Sequence, residues 1–324
     1  MLQLIKNIPI EFEKRFSKKG EFQKKITILK ELKKKYPQNE TVEALRKIFR
    51  QKIYGIKGGN FIYEKIGDIF ESQFPFQNGI LEIEGVKFDF TSSSARVDFY
   101  SELADLLLSD DYFKKSENNQ TFYKIIAECL IADGPYQHAS AFLKHRDVVV
   151  DIGANIGMFS LFANKFFDCK CYAFEPVKET VNFLKKNIKL NHAEQKIDVV
   201  PYALSDRECD VDIQIGKNTA GSSFVQKIDC IGTEKIHCIT LDQWAKENHI
   251  SQIDFIKADI EGAERYMLAG ATKVLQKIAP KLSICTYHLP DDPQVLEEII
   301  LNANPKYKVE HANNFKKLYA YVPE

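Results

Sequence analysis

The 324-residue chain is 44% hydrophobic, enough for a sizeable core, and its 45 basic residues balance 45 acidic ones, so whole-protein charge gives no sign of a nucleic-acid partner. No apolar run approaches the roughly 20 residues that span a bilayer, and Met1 to Ile10 is too short and weakly apolar for a secretory signal, so a cytoplasmic protein without a transmembrane segment is expected. Seven cysteines, scattered with no C-x-x-C pair, predict reduced, packed thiols rather than disulfides or a zinc site.

Residues 11 to 57 set Lys-rich stretches against apolar positions at helical spacing, among them Phe12, Phe16, Leu29, Leu32, Val42, Leu45 and Ile48. Two or three amphipathic helices fit, one of them starting at Asn39, which stands where a capping residue belongs. Residues 1 to 60 hold roughly ten more Lys and Arg than Asp and Glu, and such a face is read first as solvated surface. Between Gly79 and Phe90 the pattern alternates at period two around Glu84-Gly85, as in a β-hairpin. Helical spacing returns over Ala95 to Leu108 and Thr121 to Ala132. A turn at Asp133 to Tyr136 and a short helix from His138 to His145 then lead into the next strand. Tyr136 stands just before that strand, which makes it a candidate wall of a nucleotide pocket.

Val148-Val-Val-Asp-Ile-Gly-Ala-Asn-Ile-Gly-Met-Phe159 is the stretch around which the second half is organised. Three β-branched residues predict a strand buried on both faces, followed by a tight turn that opens into a helix. A dinucleotide-binding turn needs three spaced glycines, and here Asn155 stands where the middle one belongs, between Gly153 and Gly157. Asp151 at the strand end would repel a phosphate but suits a cationic group. S-adenosylmethionine, with an ammonium, a sulfonium and no phosphate, fits that turn.

Strands and helices alternate from there on, which predicts a parallel sheet covered on both faces, with ligands held at the carboxyl ends of its strands. Cys169 to Phe174 ends at Glu175-Pro176, and Glu175 lies 24 residues after Asp151, close to the spacing of a ribose-binding carboxylate. Ile197 to Pro201 ends at Tyr202-Ala203-Leu204, near an expected adenine. Cys209 to Ile215 and Ile236 to Thr240 are extra strands enclosing a polar loop, Gly216 to Ser223. Ile253 to Asp259 ends in Lys257, Asp259, Glu261 and Glu264, a concentration of charge that a purely structural strand end rarely carries. Lys281 to Thr286 ends at Tyr287-His288, which brings a histidine beside Asp259. Tyr307 to His311 and Lys317 to Val322 close the sheet as an antiparallel pair.

Asp151-Ile-Gly-Ala-Asn-Ile-Gly157, Tyr172-Ala-Phe-Glu-Pro176, Ala203-Leu-Ser-Asp206, Thr240-Leu-Asp242 and Lys257-Ala-Asp-Ile-Glu-Gly-Ala-Glu264 together resemble the FkbM family of S-adenosylmethionine-dependent methyltransferases. The resemblance covers roughly residues 133 to 322 and implies an α/β, Rossmann-like class I methyltransferase fold: a seven-stranded, mostly parallel sheet with the last strand antiparallel. It divides the chain into a mainly helical N-terminal region with a β-hairpin, residues 1–132, and a methyltransferase domain, residues 133–324. The first of these is expected to serve acceptor binding or oligomerisation, the latter meaning a homo-oligomer. The resemblance also implies methyl transfer to oxygen, commonly on a sugar, a polysaccharide unit or a secondary metabolite, and so a small-molecule or glycan acceptor.

The cofactor site expected on these grounds comprises Tyr136, Asp151, Gly153, Asn155, Gly157, Phe174, Glu175, Pro176, Tyr202, Ala203, Leu204 and Asp259. An attacking hydroxyl must lose its proton, which makes His288 the first candidate for base, with Asp259 orienting it and Lys257 and Glu261 next. No metal is expected, because the fifth strand offers Tyr287-His288 where oxygen ligands would be needed. The competing classes have features that this chain lacks. A nicotinamide-dependent sugar enzyme needs the three-glycine turn and a Tyr-x-x-x-Lys pair. A base-flipping methyltransferase often carries Pro-Pro-aromatic where Asp259-Ile-Glu-Gly262 stands. A methyltransferase acting on RNA or protein, and a cofactor-binding module without turnover, remain the open alternatives at this point.

Overall fold

The computed structural model describes residues 27, 29–39, 42–43, 46, 75–83, 85–91, 136–216, 221–228, 230–312 and 316–323. The helices expected over Ala95 to Leu108 and Thr121 to Ala132, and most of those expected over residues 11 to 57, lie outside this set. Inside it, residues 29–35 are helical with Leu29 and Leu32 buried, and Asn39 Oδ1 accepts the Val42 N–H at 3.1 Å, the expected cap.

A small antiparallel sheet comes first, of β1 (Phe76–Gln77), β2 (Ile80–Ile83) and β3 (Val86–Asp89). Its turn passes through Gly85 at φ 77°, a backbone conformation that glycine adopts without steric cost. The seven-stranded sheet follows: β4 (Val148–Ile152), β5 (Lys170–Phe174), β6 (Ile197–Val200), β10 (Phe255–Ala258), β11 (Lys281–Cys285), β12 (Lys308–Ala312) and β13 (Lys317–Tyr321). Its spatial order is β12-β13-β11-β10-β4-β5-β6. The pairings among β11, β10, β4, β5 and β6 are parallel, while β13 runs antiparallel to both β11 and β12. The chain runs outward from β4 through β5 and β6 and then returns to β10 on β4's other side. The ends of β4, β5 and β10 therefore frame a crevice of the kind that binds ligands in α/β sheets. A third sheet, β7 (Ala203–Leu204), β9 (Cys230–Ile239) and β8 (Cys209–Gly216), holds the two extra strands.

Alternation along the central strands explains the burial on both faces. Val149 and Phe255 enter one core with Leu81, Phe88, Phe159 and Phe162, whereas Val150 and Ile256 enter the other with Trp244, Met267, Leu296 and Ile300. The helices are α1 (Met158–Phe167) and α2 (Lys178–Leu190), which pack into the first core, and, later in the chain, α3 (Leu241–Glu247), α4 (Glu264–Ala269), α5 (Thr272–Lys277) and α6 (Asp292–Ala303). Val181, Leu184 and Ile188 give α2 its buried stripe, at the spacing the sequence shows.

The small sheet is part of the first core. Phe88 stacks on Phe162 at 6.0 Å between centroids, a burial that stabilises by about 2 kcal/mol. Asn187 of α2 accepts the Asp89 N–H at 2.9 Å, and Lys186 pairs with the Asp89 carboxylate. The hairpin thus shares its packing with α1 and α2 of the larger unit.

The short helix expected from His138 to His145 is instead a series of turns. Side chains there compete with the helical ladder: Gln137 Oε1 takes the Leu143 N–H at 2.9 Å, and His138 and Ala141 exchange backbone hydrogen bonds. All six described cysteines are free thiols, and burial raises the Cys238 thiol to about 12. No helix among the described residues is long and apolar enough to cross a membrane.

Candidate active site

The turn after β4 is braced from beneath by charge. Asp151 is wholly buried, its Oδ2 accepting from the Ser160 hydroxyl at 2.7 Å and its Oδ1 facing the Lys257 ammonium at 3.2 Å. Lys257 also donates to the Gly153 carbonyl at 2.7 Å and lies 5.1 Å from the centre of the Tyr136 ring. Lys257, a catalytic candidate from sequence, is therefore directed onto the turn, and the Asp151 carboxylate is turned to Ser160 and Lys257. Gly153 lets two chains cross: a Cβ there would come within 2.1 Å of the Asp259 carbonyl oxygen. At Gly157 a Cβ would meet the Leu184 side chain at 2.5 Å, where the opening of α1 packs on α2. Asn155 takes φ 48°, in the left-handed region that asparagine tolerates better than most residues.

The end of β5 is stitched to this turn. The Phe174 carbonyl accepts from Gly153 and Ala154, while its ring packs edge-on against Trp244 at 4.9 Å in the opposite core. Phe174 thus meets the turn through its backbone. Glu175 is 6% exposed, and its carboxylate accepts the Asn155 N–H at 3.1 Å and the Val177 N–H at 3.0 Å. Burial pushes its pKa up to about 7 against those two donors. A carboxylate offers about four acceptor positions, so two hydroxyls can still be bound. Pro176 is half-buried in front of α2. Tyr202 is exposed, its ring edge-on to His237, with Ala203 and Leu204 buried behind it in β7.

Asp259, Glu261, Glu264 and His288 come together at the ends of β10 and β11. Asp259 Oδ2 accepts from the Tyr136 hydroxyl at 2.8 Å, and Oδ1 from the Tyr287 hydroxyl at 3.1 Å. The His288 side chain is 3% exposed and lies between carboxylates: Nδ1 is 3.0 Å from Glu264, and Nε2 is 3.4 Å from Asp259 and 3.8 Å from Glu261. Burial opposes charge on the ring, but Glu264 and Asp259 outweigh it and hold the histidine well above its usual range. Burial likewise opposes the Asp259 charge, yet His288, Lys317 and Lys257 keep that carboxyl well below the usual range.

Glu264 also accepts the Ile260 N–H at 2.8 Å and the Gly262 N–H at 3.0 Å, which fixes the turn into α4. Glu261 sits in that turn at φ 54°, a costly conformation for its residue type. Its carbonyl is held there by the Ser223 hydroxyl at 2.9 Å and by Gln226 at 3.3 Å. Ser223, at the end of the Gly216 to Ser223 loop, therefore touches the turn into α4. Asp259, Glu264 and His288 are close enough to share an ion. The imidazole lies between the two carboxylates, with Nδ1 toward Glu264 and Nε2 toward Asp259.

Sequence reasoning passed over Ser160 and Lys317. Lys317 is wholly buried, 3.8 Å over the Tyr136 ring, and donates to Cys285 Sγ at 2.9 Å. The signal for it was a lysine opening an otherwise core-forming strand, Lys317-Leu-Tyr-Ala-Tyr321.

With this geometry in view, the sequence profile of the methyltransferase FkbM domain matches residues 151–316, more than half of the chain. The chain belongs to the FkbM methyltransferase family. Similar proteins include the hexuronic acid methyltransferase AglP of Haloferax volcanii, 25% identical over 52% of this chain and 66% of the relative. The methyltransferase sdnD of Sordaria araneosa is 26% identical over 40% of this chain and 62% of the relative. In both cases the match spans less than two thirds of the relative's own length. Among solved structures, the FkbM methyltransferase of Methylobacillus flagellatus KT superposes with a TM-score of 0.46 at 20% identity, covering 69% of this chain and 58% of that one.

Proposed function

We propose that this FkbM-family chain is an S-adenosylmethionine-dependent O-methyltransferase whose acceptor is a hydroxyl of a sugar, a surface glycan precursor or a secondary metabolite. One observation carries the reading: Glu175 at the end of β5 and the Asp259–His288 pair at the ends of β10 and β11 flank the turn after β4 at the sheet's carboxyl edge.

The donor supplies a methyl group activated on a cationic sulfur. The Gly153 to Gly157 turn, braced by Asp151 and Lys257, would hold its methionine part, Glu175 its ribose hydroxyls, and Tyr202 to Leu204 its adenine. His288 would accept the proton of the acceptor hydroxyl, and Asp259 would fix the imidazole. Only a neutral ring can do this, so the carboxylates that raise its proton affinity also set the working pH. Tyr287 and Glu261, the more exposed members of the cluster, stand where an acceptor would first arrive.

The relative named as a hexuronic acid methyltransferase supports a carbohydrate acceptor. We assign residues 133–324 to the catalytic unit and residues 1–132, whose hairpin packs against α1 and α2, to acceptor binding or to assembly of a homo-oligomer in the cytoplasm. The test is incubation with methyl-labelled S-adenosylmethionine and a panel of hexuronic acids, nucleotide sugars, glycans and RNA, with the label located by mass spectrometry. An O-methylated carbohydrate, absent with His288→Gln, is expected. Labelled RNA with unlabelled carbohydrates would overturn the acceptor class.

A further inference from the structure

Lys317 opens β13, and β13 is the strand that runs against the parallel ones. An antiparallel strand begins where its parallel neighbours end, so the first residue of β13 is delivered to the catalytic edge of the sheet, opposite Cys285 in register. Leu318, Tyr319 and Ala320 after it are all core residues. Burying an ammonium among them costs several kcal/mol unless it is compensated, and leucine or methionine would fill the place without that cost. The compensation is specific. The ammonium lies 3.8 Å over the Tyr136 ring, and the hydroxyl of that ring donates to Asp259 at 2.8 Å.

We propose that Lys317 is a positioning residue of the proton-transfer machinery, acting through the Tyr136 ring and the Asp259 carboxylate on the imidazole of His288. A cation over a phenol face draws electron density from the ring, which makes the hydroxyl a stronger donor to Asp259. The same positive charge acts on Asp259 directly. Both effects lower the negative charge that Asp259 presents to His288 and offset part of the pull of Glu264 and Glu261 on the other sides of the ring. The remaining groups facing Asp259 are the Tyr287 hydroxyl and the Lys257 ammonium. Lys317 therefore brings the proton affinity of His288 down toward the working pH.

The inference rests on His288 as proton acceptor, but its test needs neither donor nor acceptor, so it fails independently of that role. Histidine labelled with carbon-13 at Cε1 is titrated by NMR in the full chain, the His288 signal being assigned with His288→Gln. Lys317→Met is expected to raise the His288 midpoint by about one pH unit, a tenfold gain in proton affinity. Tyr136→Phe should move it in the same direction, and Lys317→Arg should leave it within about 0.3 of the parent, because the charge is retained. An unmoved midpoint in Lys317→Met, or an equal movement in Lys317→Arg, overturns the proposal. If Lys317→Met does not fold, Tyr136→Phe decides alone: an unmoved midpoint there overturns it.

Discussion

The Glu175 carboxylate accepts the Asn155 N–H at 3.1 Å, so one buried acid ties the end of β5 to the turn after β4. That acid is poised near neutrality, because burial raises its pKa to about 7. Its neutral form favours the fold, so the stability it contributes is complete below the ordinary glutamate range and is lost as pH rises through about 7. The loss amounts to about 3 kcal/mol. Thermal unfolding of the empty protein at pH 5 and pH 8 should show this decline, and Glu175→Ala should flatten it. Binding two hydroxyls calls for the ionised form, so affinity for S-adenosylmethionine should fall as pH drops below 7.

Asp151 and Lys257 neutralise each other inside the protein. Asp151→Ala leaves a buried ammonium without its carboxylate and should cost about 3–5 kcal/mol in denaturant unfolding, with cofactor affinity falling tenfold or more. Asp151→Ala combined with Lys257→Met should recover much of that stability. A double variant no more stable than the single one contradicts the pairing.

At Gly153 an added methyl meets backbone rather than a movable side chain. Gly153→Ala should therefore force β4 and β10 apart and destabilise by several kcal/mol, whereas Gly221→Ala, with nothing within 4 Å of its new Cβ, should unfold like the parent.

Against the opposing effect of burial, Glu264 and Asp259 raise the proton affinity of His288 well above the usual histidine range. Turnover should therefore rise with pH from neutrality into the alkaline range, as the neutral ring becomes available. His288→Gln should lose about 100-fold or more in kcat, keep its cofactor affinity and lose that alkaline rise.

Most of the fold was legible because its signals are local. Val148 to Ile152, Ile80 to Asp89 and the stripe of α2 carry their periodicity in neighbouring residues, and the strand ends follow from the strands. Asp259, His288 and Glu175 were placed at strand ends by that route. What side chains do at those ends was less legible, since it depends on residues far apart in the chain. Nothing near Lys257 in sequence says that it turns onto Asp151, and nothing near Lys317 says that Tyr136 waits beneath it. The turns at His138 to His145 escaped for the same reason: Gln137 and His138 redirect the backbone through contacts that a helical period does not encode.

The central claim is that the crevice between β4, β5 and β10 holds S-adenosylmethionine, and calorimetric titration of the purified chain with that molecule tests it without knowledge of the acceptor. Saturable binding at one site, weakened tenfold or more in Glu175→Ala, is the result expected. No binding by the parent chain, or equal affinity in Glu175→Ala, would contradict the account.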